Sequence, residues 1–143
     1  MIDVLFRWLH VGAATIVVGG FVYDRFVLAP AMEALAEAER VKLRAGLAER
    51  LRPIALTSIV VILLSGSYNF YLAVSAGVDT VYHMTFGIKF LLALHVFGML
   101  FVTTMPPTGD ARKDAKRTRM VTGGAISGLI ILLLGAYLKS LRL

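Results

Sequence analysis

Four stretches of this chain, at about 5–28, 54–74, 84–105 and 120–138, are long and apolar enough to cross a bilayer, given the ~20 residues that a ~30 Å hydrocarbon core requires. No other feature constrains the fold as strongly. In lipid every backbone amide must be satisfied within the protein, and a helix does this within its own segment. The links between the stretches are short or polar, so the spacing predicts an all-α fold. It is a single domain over 1–143, an integral membrane antiparallel four-helix bundle. Composition agrees, with 58% hydrophobic residues and a mean hydropathy of +0.79, against ~45–50% apolar residues in an average soluble domain. The first stretch is too long for the apolar core of a signal peptide. Its start carries only Arg7 against Asp3, so it reads as an uncleaved span.

A net charge of +6 suggests nucleic acid in a soluble protein, but the distribution of charge assigns it to topology. Ten basic residues lie in two connections: Arg40, Lys42, Arg44, Arg50 and Arg52 in one, and Arg112, Lys113, Lys116, Arg117 and Arg119 in the other. The opposite side offers Arg7, Lys139 and Arg142. Basic loops stay inside, so both connections are expected in the cytoplasm and both termini outside, with no nucleic-acid partner. The absence of cysteine excludes disulfides, thiolate metal sites, iron–sulfur clusters and covalent haem.

The connection at 30–53 opens with Pro30 and closes with Pro53, and Leu35, Val41, Leu43, Leu47 and Leu51 recur at helical spacing. It reads as an amphipathic interfacial helix, or as cytoplasmic extensions of the first two spans. The connection that holds Pro106 and Pro107 is polar, and its basic residues should meet lipid headgroups.

Side chains carry the chemistry in such a bundle. His10, Tyr68, Asn69, Lys89 and Tyr137 all fall in the outer half, and His95 near the middle of its span. By rise per residue His95 lies about 7 Å deeper than His10, an offset that an ordinary ~20° helix tilt reduces. Histidine binds metals as neutral imidazole, and two from separate helices form an axial pair for a non-covalent haem. The alternative is one interhelical hydrogen bond apiece. His83, beside Tyr82 at the outer interface, suits a surface role. Lys89 either snorkels to the interface or acts as counter-charge to an anion such as a haem propionate or a quinone oxygen. Asp24 and Arg25 suit an ion pair or interfacial anchoring. Copper has its own candidates, because His95 and Met99 share a helix face and Met84 follows His83. Thioethers with imidazole select Cu(I), whereas Met is also a common gap-filler. Gly12, Gly19 and Gly20, with Gly123, Gly124 and Gly128, allow close helix contact, inside the bundle or in a homo-oligomer.

The segments "RWLHVGAATIVVGGFVYDRFVLAPA", "LRPIALTSIVVILLSGSYNF" and "GIKFLL" resemble the copper-resistance-D-type (CopD-like) membrane domain. More distantly they resemble the HemJ-type protoporphyrinogen oxidases. His10, Gly19–Gly20 and Gly87–Lys89 occupy the family's motif positions. The resemblance implies a four-helix bundle in a bacterial inner membrane and, on the HemJ side, haem b at the histidine of the first helix. The leading expectation is therefore a haem b-binding membrane protein of electron transfer or redox chemistry. In it His10 and His95 act as metal ligands, and Lys89, Asn69 and Tyr68 line the cofactor site. Its redox partner is a quinone or a larger membrane complex. The alternatives are copper handling through His10, His95 and Met99, and a cofactor-free accessory subunit.

Overall fold

The computed structural model describes residues 1–107 and 111–141, with side chains for all of these except 111–115. Helix α1 covers Ile2–Tyr23 and passes through a π-helical stretch, Asp24–Leu28, into the short α2, Ala29–Met32. After a four-residue break, α3 runs unbroken from Glu37 to Ser75. Helix α4 covers Thr80–Thr103 and α5 Ala111–Ser140. The described residues contain no strand.

Local chemistry sets these boundaries. Ala36 is extended (φ −61°, ψ 151°), and its amide donates to the Glu39 carboxylate, which closes the start of α3. The reversal from α3 to α4 needs Gly77 at φ +79°, a left-handed conformation that glycine alone adopts at no steric cost. The Asp79 carboxylate then accepts from the Tyr82 amide at 2.9 Å, a standard N-cap. The connection at 30–53 is no separate interfacial helix. Its Ala, Leu, Glu and Arg residues are good helix formers, and α3 carries them straight into the apolar stretch at 54–74. Pro53 lies inside that helix, where it leaves the Glu49 carbonyl without its usual donor.

Three helical runs are long and apolar enough to cross a membrane: Ile2–Met32, Thr80–Thr103 and Lys116–Ser140. Helix α3, whose first half is charged, is not among them. The surface explains where so apolar a chain keeps its bulk. Trp8, Phe26, Leu64, Leu91 and Leu133 are each 65–70% exposed, a distribution suited to lipid and costly in water. Small and polar residues lie inside, among them Ser58, Ser65, Thr103 and Thr104. The Thr103 and Thr104 hydroxyls donate to carbonyls one turn back, which satisfies them without a partner helix.

Helix α1 packs on α3 and α5, α4 packs on α5 and more lightly on α3, so α1 and α4 lie diagonally opposite. One interior cluster joins Val17, Phe21, Val96, Val121 and Ala125. A second, near the α3–α4 turn, joins Ala73, Tyr82 and Leu138. The glycines of α5 account for the closeness of the first. A Cβ on Gly124 would fall 2.6 Å from Phe21 Cε1, one on Gly128 2.8 Å from Val18 Cγ2, and one on Gly123 2.9 Å from Met99 Cε. The small-xxx-small motif of α5 is thus used inside the molecule. In α1, Gly12, Gly19 and Gly20 meet nothing within 4 Å.

This contrast yields a stability prediction. Gly128→Leu should destabilise the protein by ~1–3 kcal/mol through overpacking, lowering its thermal midpoint in detergent. Gly19→Leu should leave that midpoint unchanged.

Candidate functional site

The contacts fix a register along the helices. On α1 and α5, Phe21 meets Gly124 and Val18 meets Gly128, so each step toward the N-terminus of α1 matches one toward the C-terminus of α5. The same count sets His10 level with Gly135. On α4, Met99 meets Gly123 and the Lys89 ammonium lies 3.5 Å from where a Gly135 Cβ would be. On α3, a Cβ at Gly66 would stand 3.0 Å from His10 Cε1. His10, Gly66, Lys89 and Gly135 therefore form one layer to which all four long helices contribute.

Two polar side chains and two glycines alternate in this layer. The absence of a side chain at Gly66 makes room for the imidazole, and its absence at Gly135 makes room for the lysine stem. Lys89 belongs to the inward stripe of α4. Tyr82, Val96 and Thr103, at heptad intervals from it, are only 4%, 3% and 7% exposed. Its charge is near enough to act electrostatically on His10.

Hydrogen bonding defines the state of the imidazole. Ser65 Oγ lies 3.0 Å from His10 Nδ1 and 2.5 Å from the Val61 carbonyl a turn back, the shorter contact and the natural place for the serine's one proton. With the proton there, the hydroxyl accepts from His10, Nδ1 carries the ring proton and Nε2 keeps its lone pair. This is the arrangement that metal-ligating histidines use, with one nitrogen anchored by an acceptor and the other available to a metal.

The remaining expected residues are placed differently. His95 does not join His10. It is exposed on α4, flanked by Leu91 and Leu94 at 68% and 46% exposure, and lies six residues, about 9 Å of rise, from Lys89. The cause is rotational. Phe86 stacks on Phe70 at 4.0 Å, Val96 enters the core, and Met99 covers Gly123; a helix so seated turns position 95 outward. The axial pair of His10 and His95 is thus not assembled in this chain, and neither is the copper set, because Met99 faces α5 and Met84 is 66% exposed. Among the described residues no three His, Cys, Asp or Glu side chains converge as a metal site.

Tyr68 lies further out than the layer. Its hydroxyl donates to Asp3 Oδ1 at 2.8 Å and its ring packs on Phe6 at 4.2 Å, tying the start of α1 to α3. Asn69 is half-buried beside it and Tyr137 is 48% exposed. His83 meets Phe70 and Tyr82 edge-on at the outer surface. Asp24 and Arg25 do not pair with each other. Asp24 pairs with Arg44 at 3.6 Å and Arg25 donates to Thr122. Sequence reasoning missed Ser65, Gly66 and Gly135. The adjacent Ser65–Gly66 within an apolar span was the available signal.

No protein-family model, curated protein or solved structure matches the chain.

The tautomer can be read directly. In bilayers, 15N NMR of histidine-labelled protein should show His10 protonated at Nδ1, and Ser65→Ala should move the population toward Nε2–H. An unchanged tautomer in that variant would remove Ser65 as the anchoring acceptor.

Proposed function

We propose that this chain is a haem b-binding redox protein of a bacterial inner membrane, an antiparallel four-helix bundle with its basic connections in the cytoplasm and both termini outside. The single observation that carries the haem reading is the seating of His10. An imidazole with Nδ1–H held by Ser65 and Nε2 left as a donor, inside an apolar bundle, has the chemistry of an axial ligand. The resemblance of the motif around His10 to CopD-like and HemJ-type domains points the same way. So does the half-buried Lys89 in the same layer, whose positive charge would suit the acidic edge of such a group.

When bound, haem would supply one-electron chemistry at its iron. The chain's own residues do the rest. His10 would hold the iron through Nε2, and the contact with Ser65 would fix the ring's orientation and raise its basicity. Lys89 would neutralise a propionate, and Asn69 would add hydrogen-bonding capacity on the same side. The surrounding helices exclude water and so set the dielectric around the group. His95 has no part in this site. On the exposed face of α4 it is placed for lipid, a second copy or a larger complex, while a quinone or an external protein exchanges electrons at the outer half.

Purified protein, reconstituted with haem where necessary, should show the Soret and α bands of a b-type cytochrome. His10→Ala should abolish them without preventing membrane insertion, and His95→Ala should retain them. Lys89→Met should keep haem but lower its reduction potential, because a positive charge near the iron is lost. A wild-type protein that takes up no haem is instead a cofactor-free subunit, with His10 a packing residue.

Orientation has its own test. A cysteine at Ser75 should react with a membrane-impermeant thiol reagent in intact cells, and one at Glu37 should not. The reverse pattern would invert the topology.

A further inference from the structure

The basic end of the molecule holds a second constellation, outside the His10 layer. A crevice of about 510 Å³ opens between the end of the α1 path, the first turns of α3, and α5. Its cations are Arg25, Arg40, Arg44 and Arg117, and Met32 and Val41 form part of its floor. The π-helical stretch Asp24–Leu28 contributes Arg25 to the lining. Such stretches are rare and recur at functional sites. Here the stretch presents Asp24 to α3 and Arg25 to α5 in consecutive residues.

The roles of these cations divide. Arg44 is matched by Asp24 at 3.6 Å. Arg117 is committed to the carbonyl end of α4, donating to Met105 O at 3.1 Å and to Thr103 O. Arg25 uses Nε on Thr122 Oγ1 at 3.0 Å and lies 5.8 Å from the Phe26 ring centre, which aims the guanidinium, and among the described residues its two terminal nitrogens have no hydrogen-bond acceptor. Arg40 makes no ion pair among the described residues. Two guanidinium forks are therefore available to an anion at one crevice, against the carboxylates of Glu33 and Glu37 at its rim. Arginine forks match phosphate geometry.

We propose that this crevice binds the phosphate headgroup of an anionic phospholipid of the basic-side leaflet, one molecule per chain. Three features favour a lipid over a soluble phosphate. The volume lies in the range of organic-ligand sites and far exceeds one phosphate ion. The floor includes the apolar Met32, which is 2% exposed. Phe26 and Val27, on the same π-helical stretch, are 69% and 51% exposed and offer an apolar surface for acyl chains directly beside the forks. The site requires the chain to lie in a membrane but does not depend on haem.

Native mass spectrometry of the full chain in neutral detergent tests this, with phosphatidylglycerol and phosphatidylcholine added in parallel. One phosphatidylglycerol should be retained at concentrations where phosphatidylcholine is not. Arg40→Gln and Arg25→Gln should each weaken retention about fivefold, the scale expected for one basic residue at a headgroup. Arg50→Gln, which removes the same charge from the same connection but outside the crevice, should have no effect. Arg40 is exposed, so its variant should keep the fold and the result stays interpretable if Arg25→Gln unfolds. Equal retention of the two lipids overturns the proposal, as does a loss with Arg50→Gln equal to that with Arg40→Gln. Displacement of the lipid by millimolar inorganic phosphate overturns the choice of a lipid. The lipid count is read in haem-free and haem-loaded preparations alike, so failure of the haem reading leaves it intact.

Discussion

Val18 and Phe21 of α1 occupy the space where side chains on Gly128 and Gly124 of α5 would stand, and the rest of the molecule hangs on that approach. In lipid there is no hydrophobic force to hold helices together, so close van der Waals packing at small residues takes its place. Once these two helices are locked, their register is settled over their whole shared length. Toward one end it brings Arg25 to Thr122, and toward the other it brings His10 level with Gly135. The two polar regions of the chain are consequences of one steric fit.

The regions differ in what they ask of a ligand. In the His10 layer an imidazole and a lysine stand among glycines and apolar groups, and the haem proposed for it would be a flat, largely apolar group with an acidic edge. At the basic end, guanidinium forks border on exposed apolar surface, which suits a compact anion with a long apolar tail. Both are sites where charge is held at the edge of a low-dielectric medium, and in both the protein avoids burying a lone ion by keeping a partner or an outlet close by.

Much of the plan was legible in the sequence because it depends on hydropathy summed over many residues. The helical fold, the apolar runs of α1, α4 and α5, and the small-residue motif of α5 are of this kind. Rotation was not legible. Apolar residues occupy all sides of α4, so its pattern carries no clear marker of the inward face. The spacing of Lys89 and His95 shows only that they lie about 120° apart and need not share one face. Which one points inward is decided by the fit of Phe86, Val96 and Met99 to their neighbours, contacts between residues far apart in the chain. The π-helical stretch was hidden for a related reason: it follows from where α3 and α5 draw Asp24 and Arg25, not from local preference. The unbroken course of α3 through Pro53 likewise defied the local rule, since the proline removes one hydrogen bond from a helix long enough to tolerate the loss.

The length of α3 has a mechanical consequence. At 39 residues it is about 58 Å long, nearly twice the thickness of a hydrocarbon core. It carries Arg40 and Arg44 at one end and Ser65 and Gly66 toward the other. A continuous helix behaves as a stiff rod, so tilting its charged end swings the serine that steadies His10. The one rung missing from the ladder is at Pro53, between the two, where the charged half gives way to the apolar half. The weakest point of the rod is therefore at that border, between the arginines and the serine beside the imidazole.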